Sequence, residues 1–129
     1  DFRCPTTWSA SKLYCYKPFK EKKTWIEAER FCAKQAENGH LVSIGSAAEA
    51  DFLDLVIVVN FDKQRYRAWT GLTERNLKWT NGASVSYENL YEPYIRKCFV
   101  VQPWEGKSKW YKADCEEKNA FLCKFPKPH

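Results

Sequence analysis

Several features that mark common classes of function are missing from this 129-residue sequence. Its longest apolar run, Leu55–Val59, is far shorter than the roughly 20 residues that a membrane-spanning helix needs. No two of its six cysteines form a Cys-X-X-Cys pair, and it has two histidines, so a zinc site is not indicated. No repeat, linker or low-complexity tract is visible, and we expect a single domain over residues 1–129.

The composition is that of a folded, secreted protein. Hydrophobic residues make up 44% of the chain and aromatic residues 16%, which excludes disorder. An even number of cysteines without metal-site spacing indicates a disulfide framework, and therefore an oxidising, extracellular location. Many pairings are possible, and the spacing alone does not choose among them. The opening Asp1-Phe2-Arg3-Cys4 is expected to be a mature end left after signal removal.

The formal net charge of +5 bears on possible partners. Two groups of lysines stand out, Lys20, Lys22 and Lys23 early and Lys107, Lys109 and Lys112 late. They form either a solvated face or a footprint for an acidic partner, such as heparin or an acidic receptor surface. An extracellular location argues against nucleic acid.

Two capping boxes predict two helices in the first half of the chain. Thr24 with Glu27 and Ser46 with Glu49 each have the Ser/Thr-X-X-Glu pattern that satisfies free backbone N–H groups at a helix start. The β-branched run Val56–Val59 weakens the end of the second helix.

Strand signals dominate the rest of the sequence. The candidate strands are Leu13–Tyr16, Leu41–Ile44, Ala68–Leu72, Cys98–Val101, Lys109–Tyr111 and Phe121–Phe125. Asn81-Gly82 marks a turn. Two helices followed by β-rich sequence predict an α+β domain.

An ordered set of motifs resembles the C-type lectin domain. These motifs are Cys4, Trp8, Cys15-Tyr16, Thr24-Trp25, Cys32, His40-Leu41-Val42-Ser43-Ile44, Trp69-Thr70-Gly71-Leu72, Trp79-Thr80-Asn81-Gly82, Cys98, Cys115 and Phe121-Leu122-Cys123. The resemblance implies two helices with small antiparallel sheets and the intrachain disulfides Cys4–Cys15, Cys32–Cys123 and Cys98–Cys115. The second bridge closes a loop of about 90 residues, worth roughly 4–5 kcal/mol in the chain-entropy model.

Within that family the chain resembles the snake-venom C-type-lectin-like subunits, the snaclecs. Tyr16-Lys17-Pro18-Phe19, Ser86-Tyr87-Glu88-Asn89 and Lys118-Asn119-Ala120-Phe121 are typical of them. The resemblance implies a long loop that swaps into a related, non-identical partner subunit. Many snaclecs also link their subunits through a cysteine that has no counterpart in the connection 73–78, so the implied dimer is non-covalent.

The calcium-dependent sugar site of the family is degenerate here. The family's Trp-Asn-Asp motif reads Trp110-Tyr111-Lys112, and its Glu-Pro-Asn motif reads Glu92-Pro93-Tyr94. Calcium needs six to eight oxygen ligands, and a lysine ammonium supplies none. We therefore expect neither calcium nor sugar binding at Tyr111 and Lys112, and no cofactor.

A second calcium site known in venom relatives is also altered. Its positions correspond to Ser43, Gly45, Glu49 and Lys124, so one carboxylate is missing and another is replaced by a cation. We hypothesise that the ammonium of Lys124 fills the site and pairs with Glu49. The alternative is that Lys124 points to solvent.

Catalysis is not expected. His40 stands in a His-Leu pair that is structural in the family, and His129 is the last residue. With 16 acidic residues, some pair of carboxylates arises by chance, so such a pair would not indicate a glycosidase.

The segment Tyr87–Ile95 is the predicted partner-binding loop. Its apolar residues are Tyr87, Leu90, Tyr91, Tyr94 and Ile95. A surface loop this apolar either folds onto its own domain or is covered by another, and the snaclec resemblance favours a partner subunit.

The resemblance implies a venom protein that impairs haemostasis by blocking a platelet or adhesion receptor, with the collagen-binding integrin as the leading candidate. The alternatives are an anticoagulant that binds clotting factors and a true lectin. Whether binding depends on calcium distinguishes these three functions.

Overall fold

A computed structural model describes residues 2–61, 66–73, 97–104 and 107–128. Its two helices are α1, Trp25–Gln35, and α2, Ala47–Asn60. Its strands are β1 (Ser9–Ala10), β2 (Tyr14–Lys23), β3 (His40–Leu41), β4 (Ala68–Thr73), β5 (Lys97–Trp104), β6 (Lys107–Asp114) and β7 (Asn119–Pro126). No helix among the described residues is long and apolar enough to cross a membrane. The predicted loop Tyr87–Ile95, the turn Asn81-Gly82 and Glu92-Pro93-Tyr94 lie outside the described residues.

The described strands join in one sheet rather than in separate small ones. Their order is β1-β2-β7-β4-β5-β6, and β3 also pairs with β7. All pairings are antiparallel except β4 with β7, which is parallel at Ala68↔Ala120 and Trp69↔Phe121. β7 is therefore a central strand, and its residues Asn119–Phe125 are all buried.

The two helices cover opposite faces of this sheet. Successive strand residues point to opposite faces, so neighbouring positions of one strand enter different cores. The core on the α1 side includes Ala28, Cys32, Trp69, Val100 and Phe121. The core on the α2 side includes Leu53, Ile57, Phe99, Val101 and Leu122.

The capping box predicted at α1 is confirmed. The Thr24 hydroxyl accepts the Glu27 N–H at 3.4 Å, and the Glu27 carboxylate accepts the Thr24 N–H at 3.0 Å. At α2 only half of the predicted box forms. The Ser46 hydroxyl accepts the Glu49 N–H at 3.1 Å, but the Glu49 carboxylate accepts the N–H of Gly45 instead of that of Ser46.

Helix α2 continues through its β-branched run as far as Asn60. Leu53, Val56 and Ile57 are buried on the sheet. Tertiary packing outweighs the weak helix propensity of these residues, which is a fraction of a kcal/mol per residue.

The three disulfides are those that the resemblance implies. Cys4 pairs with Cys15, Cys32 with Cys123, and Cys98 with Cys115. All six cysteines of the chain are used in these bridges. The second bridge ties α1 to the central strand β7.

The exit of α1 requires a glycine. Asn38 adopts a left-handed conformation with φ 62°. A Cβ on the next residue, Gly39, would collide with the backbone carbonyl oxygen of Cys32. The chain can therefore turn back tightly against the helix only because residue 39 has no side chain.

Candidate functional site

Lys124 is buried in the central strand β7, where a lysine is rarely found. It follows Leu122 on the side of the sheet that α2 covers, and only 7% of its side chain is exposed. Its Nζ donates to the backbone oxygen and the hydroxyl of Ser43, both at 3.0 Å, and to Oε2 of Glu49 at 2.6 Å. The ammonium thus has three acceptors, which its three N–H groups can satisfy.

Two tyrosines complete the surroundings of the ammonium. Nζ lies 4.0 Å from the ring centroid of Tyr14 and 5.8 Å from that of Tyr16. The Tyr16 hydroxyl donates to Oε2 of Glu49 at 2.6 Å. Both tyrosines lie on β2, which pairs with β7 at Tyr16↔Lys124. The faces of the rings attract the cation in a partly desolvated setting.

Glu49 is fixed from three sides. Its Oε2 accepts from Lys124 and Tyr16, and its Oε1 accepts the Gly45 N–H at 2.9 Å. A Cβ at Gly45 would meet only Oε1 of Glu49, at 3.8 Å, which is ordinary contact. The position therefore has room for the first atom of a side chain, and the absence of a carboxylate there reflects the sequence rather than crowding.

Burial and hydrogen bonding oppose each other in this cluster. Burial of Glu49 acts to raise its pKa, but hydrogen bonds from Lys124, Tyr16 and Gly45 and the charge of Lys124 outweigh it, so the pKa is lowered. Burial lowers the pKa of Lys124 against the attraction of Glu49. Burial, followed by the hydrogen bond to Glu49, raises the pKa of Tyr16 well above its ordinary value, so its hydroxyl remains a donor.

The residues of this cluster do not fit a calcium ion. One carboxylate, one hydroxyl and one carbonyl converge here, whereas calcium takes six to eight oxygens. Lys124 points inward, as hypothesised, and already contacts all three groups. Among the described ranges no group of three or more His, Cys, Asp or Glu side chains is placed to hold a metal.

The positions of the degenerate sugar site lie on β6. Val100 pairs with Tyr111 and Phe99 with Lys112, and the side chains of Tyr111 and Lys112 are half-buried. β6 therefore carries a phenol and an ammonium at the two positions that the resemblance aligns with an amide and a carboxylate. That Tyr111 and Lys112 prevent calcium and sugar binding stays a prediction.

His40 forms a bridge between α1 and the sheet. Its Nδ1 lies 2.7 Å from Oε2 of Glu29, whose Oε1 accepts the Leu41 N–H at 2.9 Å. Both oxygens of Glu29 are thus used to hold β3 against α1, which is a structural arrangement.

Sequence reasoning missed Tyr14, Tyr16 and Glu29 as members of these clusters. Tyr14 and Tyr16 alternate along β2 and so share one face of the sheet. Only the pairing of β2 with β7 brings that face to Lys124. No sequence signal linked Glu29 to His40, because the contact joins a helix to a strand.

Comparison with known proteins places these features in a family. The model of the Lectin C-type domain matches residues 21–125. The chain is 48% identical over 132 residues to Snaclec crotocetin-1 of Crotalus durissus terrificus, covering 98% of this chain and 84% of that one. It is 44% identical over 138 residues to Snaclec GPIB-binding protein subunit alpha of Bothrops jararaca, covering 98% and 97%.

A solved structure adds support for the fold. The structure of rhodocetin in complex with the integrin alpha2-A domain contains a chain that is 41% identical to this one. The two superpose with a TM-score of 0.73, covering 96% of this chain and 99% of the other.

Proposed function

Because the chain belongs to the snaclecs, within the Lectin C-type domain family, we propose that it is a subunit of a secreted venom toxin that impairs haemostasis. Its activity is the binding of a receptor protein on platelets or adherent cells, without enzymatic chemistry. Residues 1–129 form one C-type-lectin-like domain. Three disulfides support the extracellular location.

The leading receptor is the collagen-binding integrin. A chain that is 41% identical to this one belongs to a structure of rhodocetin in complex with the integrin alpha2-A domain. A platelet GPIB receptor is the second candidate, because the Bothrops jararaca relative is named for binding GPIB. In either case the bound surface is protein.

Independence from calcium rests on the buried Lys124–Glu49 pair. The ammonium has three protein acceptors, at the residues that the resemblance aligns with the second calcium site. Together with Tyr111 and Lys112 at the sugar site, this arrangement disfavours a calcium-dependent lectin.

The partner is a related, non-identical subunit held without a disulfide. All six cysteines are used within the chain. Burial of the apolar side chains of the segment Tyr87–Ile95 would then provide the association, because central aromatic side chains usually dominate an interface.

The test is binding of the native hetero-oligomer to immobilised integrin alpha2-A domain. The measurement is repeated with calcium and with a calcium-selective chelator at constant magnesium, and we expect equal affinity. A Tyr91→Ala/Tyr94→Ala variant should dissociate the dimer in sedimentation and lose receptor binding, since each truncation costs about 2 kcal/mol or more at a hot spot.

Three outcomes would contradict parts of this proposal. Binding that needs calcium and is competed by a simple sugar would restore the lectin interpretation. Absence of receptor binding together with calcium-dependent capture of clotting factors IX or X would favour the anticoagulant. A monomeric variant that inhibits platelet adhesion to collagen as well as wild type would remove the partner subunit from the mechanism.

A further inference from the structure

The outer side of α2 carries an unusual set of exposed apolar side chains. Leu55, Val58 and Val59 are 66%, 44% and 81% exposed. Their spacing places them on one side of the helix, with the exposed Asp51 one turn before Leu55. We call these four residues the α2 face. Apolar side chains that lie together on a surface usually mark a contact with another molecule.

The charge of α2 indicates what kind of molecule this is. The helix contains Glu49, Asp51 and Asp54 and no lysine or arginine. Glu49 is turned inward to Lys124, so it is not part of the α2 face. The face is therefore apolar with an acidic residue at one end, in a chain whose net charge is +5. A basic surface with apolar residues of its own would complement it.

The same chain presents such a surface on the other side of its sheet. Ile26 is 44% exposed on α1, beside the exposed cations Arg30 and Lys34. We call Ile26, Arg30 and Lys34 the α1 face.

The acidic residues of α1 do not neutralise this face. Glu27 is engaged in the capping box with Thr24, and Glu29 holds His40 and Leu41. Arg30 and Lys34 form no ion pair with any residue in the part of the chain that the structure describes. Their positive charges thus remain available to a partner.

We propose that the α2 face of one molecule docks on the α1 face of a second copy of this chain. Since the two faces lie on opposite sides of the sheet, the contact joins different surfaces of the two copies. It therefore builds a ring or an open chain of domains rather than a closed symmetric pair. This association is separate from the loop-mediated heterodimer of the proposed function, and it adds to that dimer.

The test is sedimentation velocity of the native hetero-oligomer over a concentration series. We expect the average sedimentation coefficient to rise with concentration. Leu55→Ser/Val59→Ser should abolish the rise, because it removes the most exposed apolar side chains of the α2 face. Melting temperatures should not change, since these side chains are exposed.

Charge exchange tests the pairing of the two faces. Salt alone is ambiguous, because it screens both the attraction between the faces and the repulsion between molecules of net positive charge. Asp51→Arg and Arg30→Glu should each lower the association constant, by up to about fivefold. The combined variant has the wild-type net charge and should recover association. Lys12→Glu, on neither face, changes the net charge as Arg30→Glu does and should leave association unchanged.

The proposal is overturned if wild type sediments identically at all concentrations, or if the combined variant fails to recover. It is also overturned if the α2-face variants leave sedimentation unchanged but lose receptor binding, which would make this face a receptor contact. The Tyr91→Ala/Tyr94→Ala variant separates the two associations. Because this variant lacks the loop-mediated dimer, its sedimentation coefficient should be lower than that of wild type. The coefficient should still rise with concentration, and the rise should disappear when Leu55 and Val59 are also replaced.

Discussion

Helices α1 and α2 are attached to the same sheet by different means. α1 is held by the disulfide Cys32–Cys123, by the bridge from Glu29 to His40 and by a complete capping box. The indoles of Trp25 and Trp69 add hydrogen bonds to the backbone oxygens of Thr70 and Lys23 at 2.9 and 2.8 Å. α1 is thus fastened at several independent points.

α2 depends on apolar packing and on one buried ion pair. Leu53 and Ile57 lie on the sheet, and Glu49 meets Lys124 beneath the first turn. Because the polar contacts of α2 with the sheet are concentrated in the Lys124–Glu49 pair, removing either residue leaves the charge of the other buried without its partner. We therefore expect the α2 side to respond more sharply to single substitutions of polar residues than the α1 side.

The largest expected effect comes from breaking that pair. Lys124→Met keeps much of the side-chain volume but leaves Glu49 without its cation, at a cost of about 3–5 kcal/mol. Replacing both partners, in Lys124→Met/Glu49→Gln, should recover most of the loss, since an isosteric neutral pair is often no less stable. Urea unfolding of the four proteins in a double-mutant cycle measures the coupling. Strict additivity of the two single changes would show that the pair does not interact.

Acidification should weaken the same contact by protonating Glu49. Its pKa in the folded protein lies below the ordinary value of 4.5, so its ionisation stabilises the fold above that value. This contribution is lost as the pH falls through the lowered pKa. Melting temperatures measured from neutral pH into the acid range should fall less in Lys124→Met/Glu49→Gln than in wild type. Equal acid sensitivity of the two proteins would argue against the role of Glu49.

On the α1 side, Gly39→Ala tests whether the close approach of the backbone at the end of α1 contributes to stability. Its new Cβ would collide with the carbonyl oxygen of Cys32, which cannot move without shifting the last turn of α1. Overpacking of this kind costs about 1–3 kcal/mol. Gly45→Ala is the matched control on the α2 side, where the added atom has room, and it should change unfolding by much less. Comparable losses in the two variants would mean that the crowding at Gly39 is relieved elsewhere.

The smallest expected effect is the difference in stability loss between removing the N-cap of α1 and removing the N-cap of α2. Thr24→Ala should cost about 1 kcal/mol, because it removes a hydroxyl from a reciprocal capping box. Ser46→Ala removes the hydroxyl of a cap that lacks the returning carboxylate, and we expect a smaller loss. The ratio of the two losses, from denaturant unfolding, checks the comparison. A larger loss of stability in Ser46→Ala than in Thr24→Ala would contradict this prediction.

The sequence by itself determined the helix starts at Thr24 and Ser46 and the α+β class. These features depend on residue type and short spacing, which are local properties. The resemblance to C-type lectin domains supplied the disulfide pairs, which spacing alone left open. It also supplied the prediction that Lys124, Lys112 and Tyr111 stand where the family has calcium ligands.

Only the tertiary structure decided what the Glu49 carboxylate does. The capping pattern predicted a return to Ser46, whereas the resemblance suggested pairing with Lys124. The buried ammonium from β7, 75 residues away, is a stronger partner than a backbone N–H at an exposed helix start. The parallel contact of β4 with β7, the extension of α2 to Asn60 and the tyrosines around Lys124 were likewise beyond prediction. Each depends on which elements pack together, and the free energy of burial and pairing across the sheet outweighs the local preferences that a sequence displays.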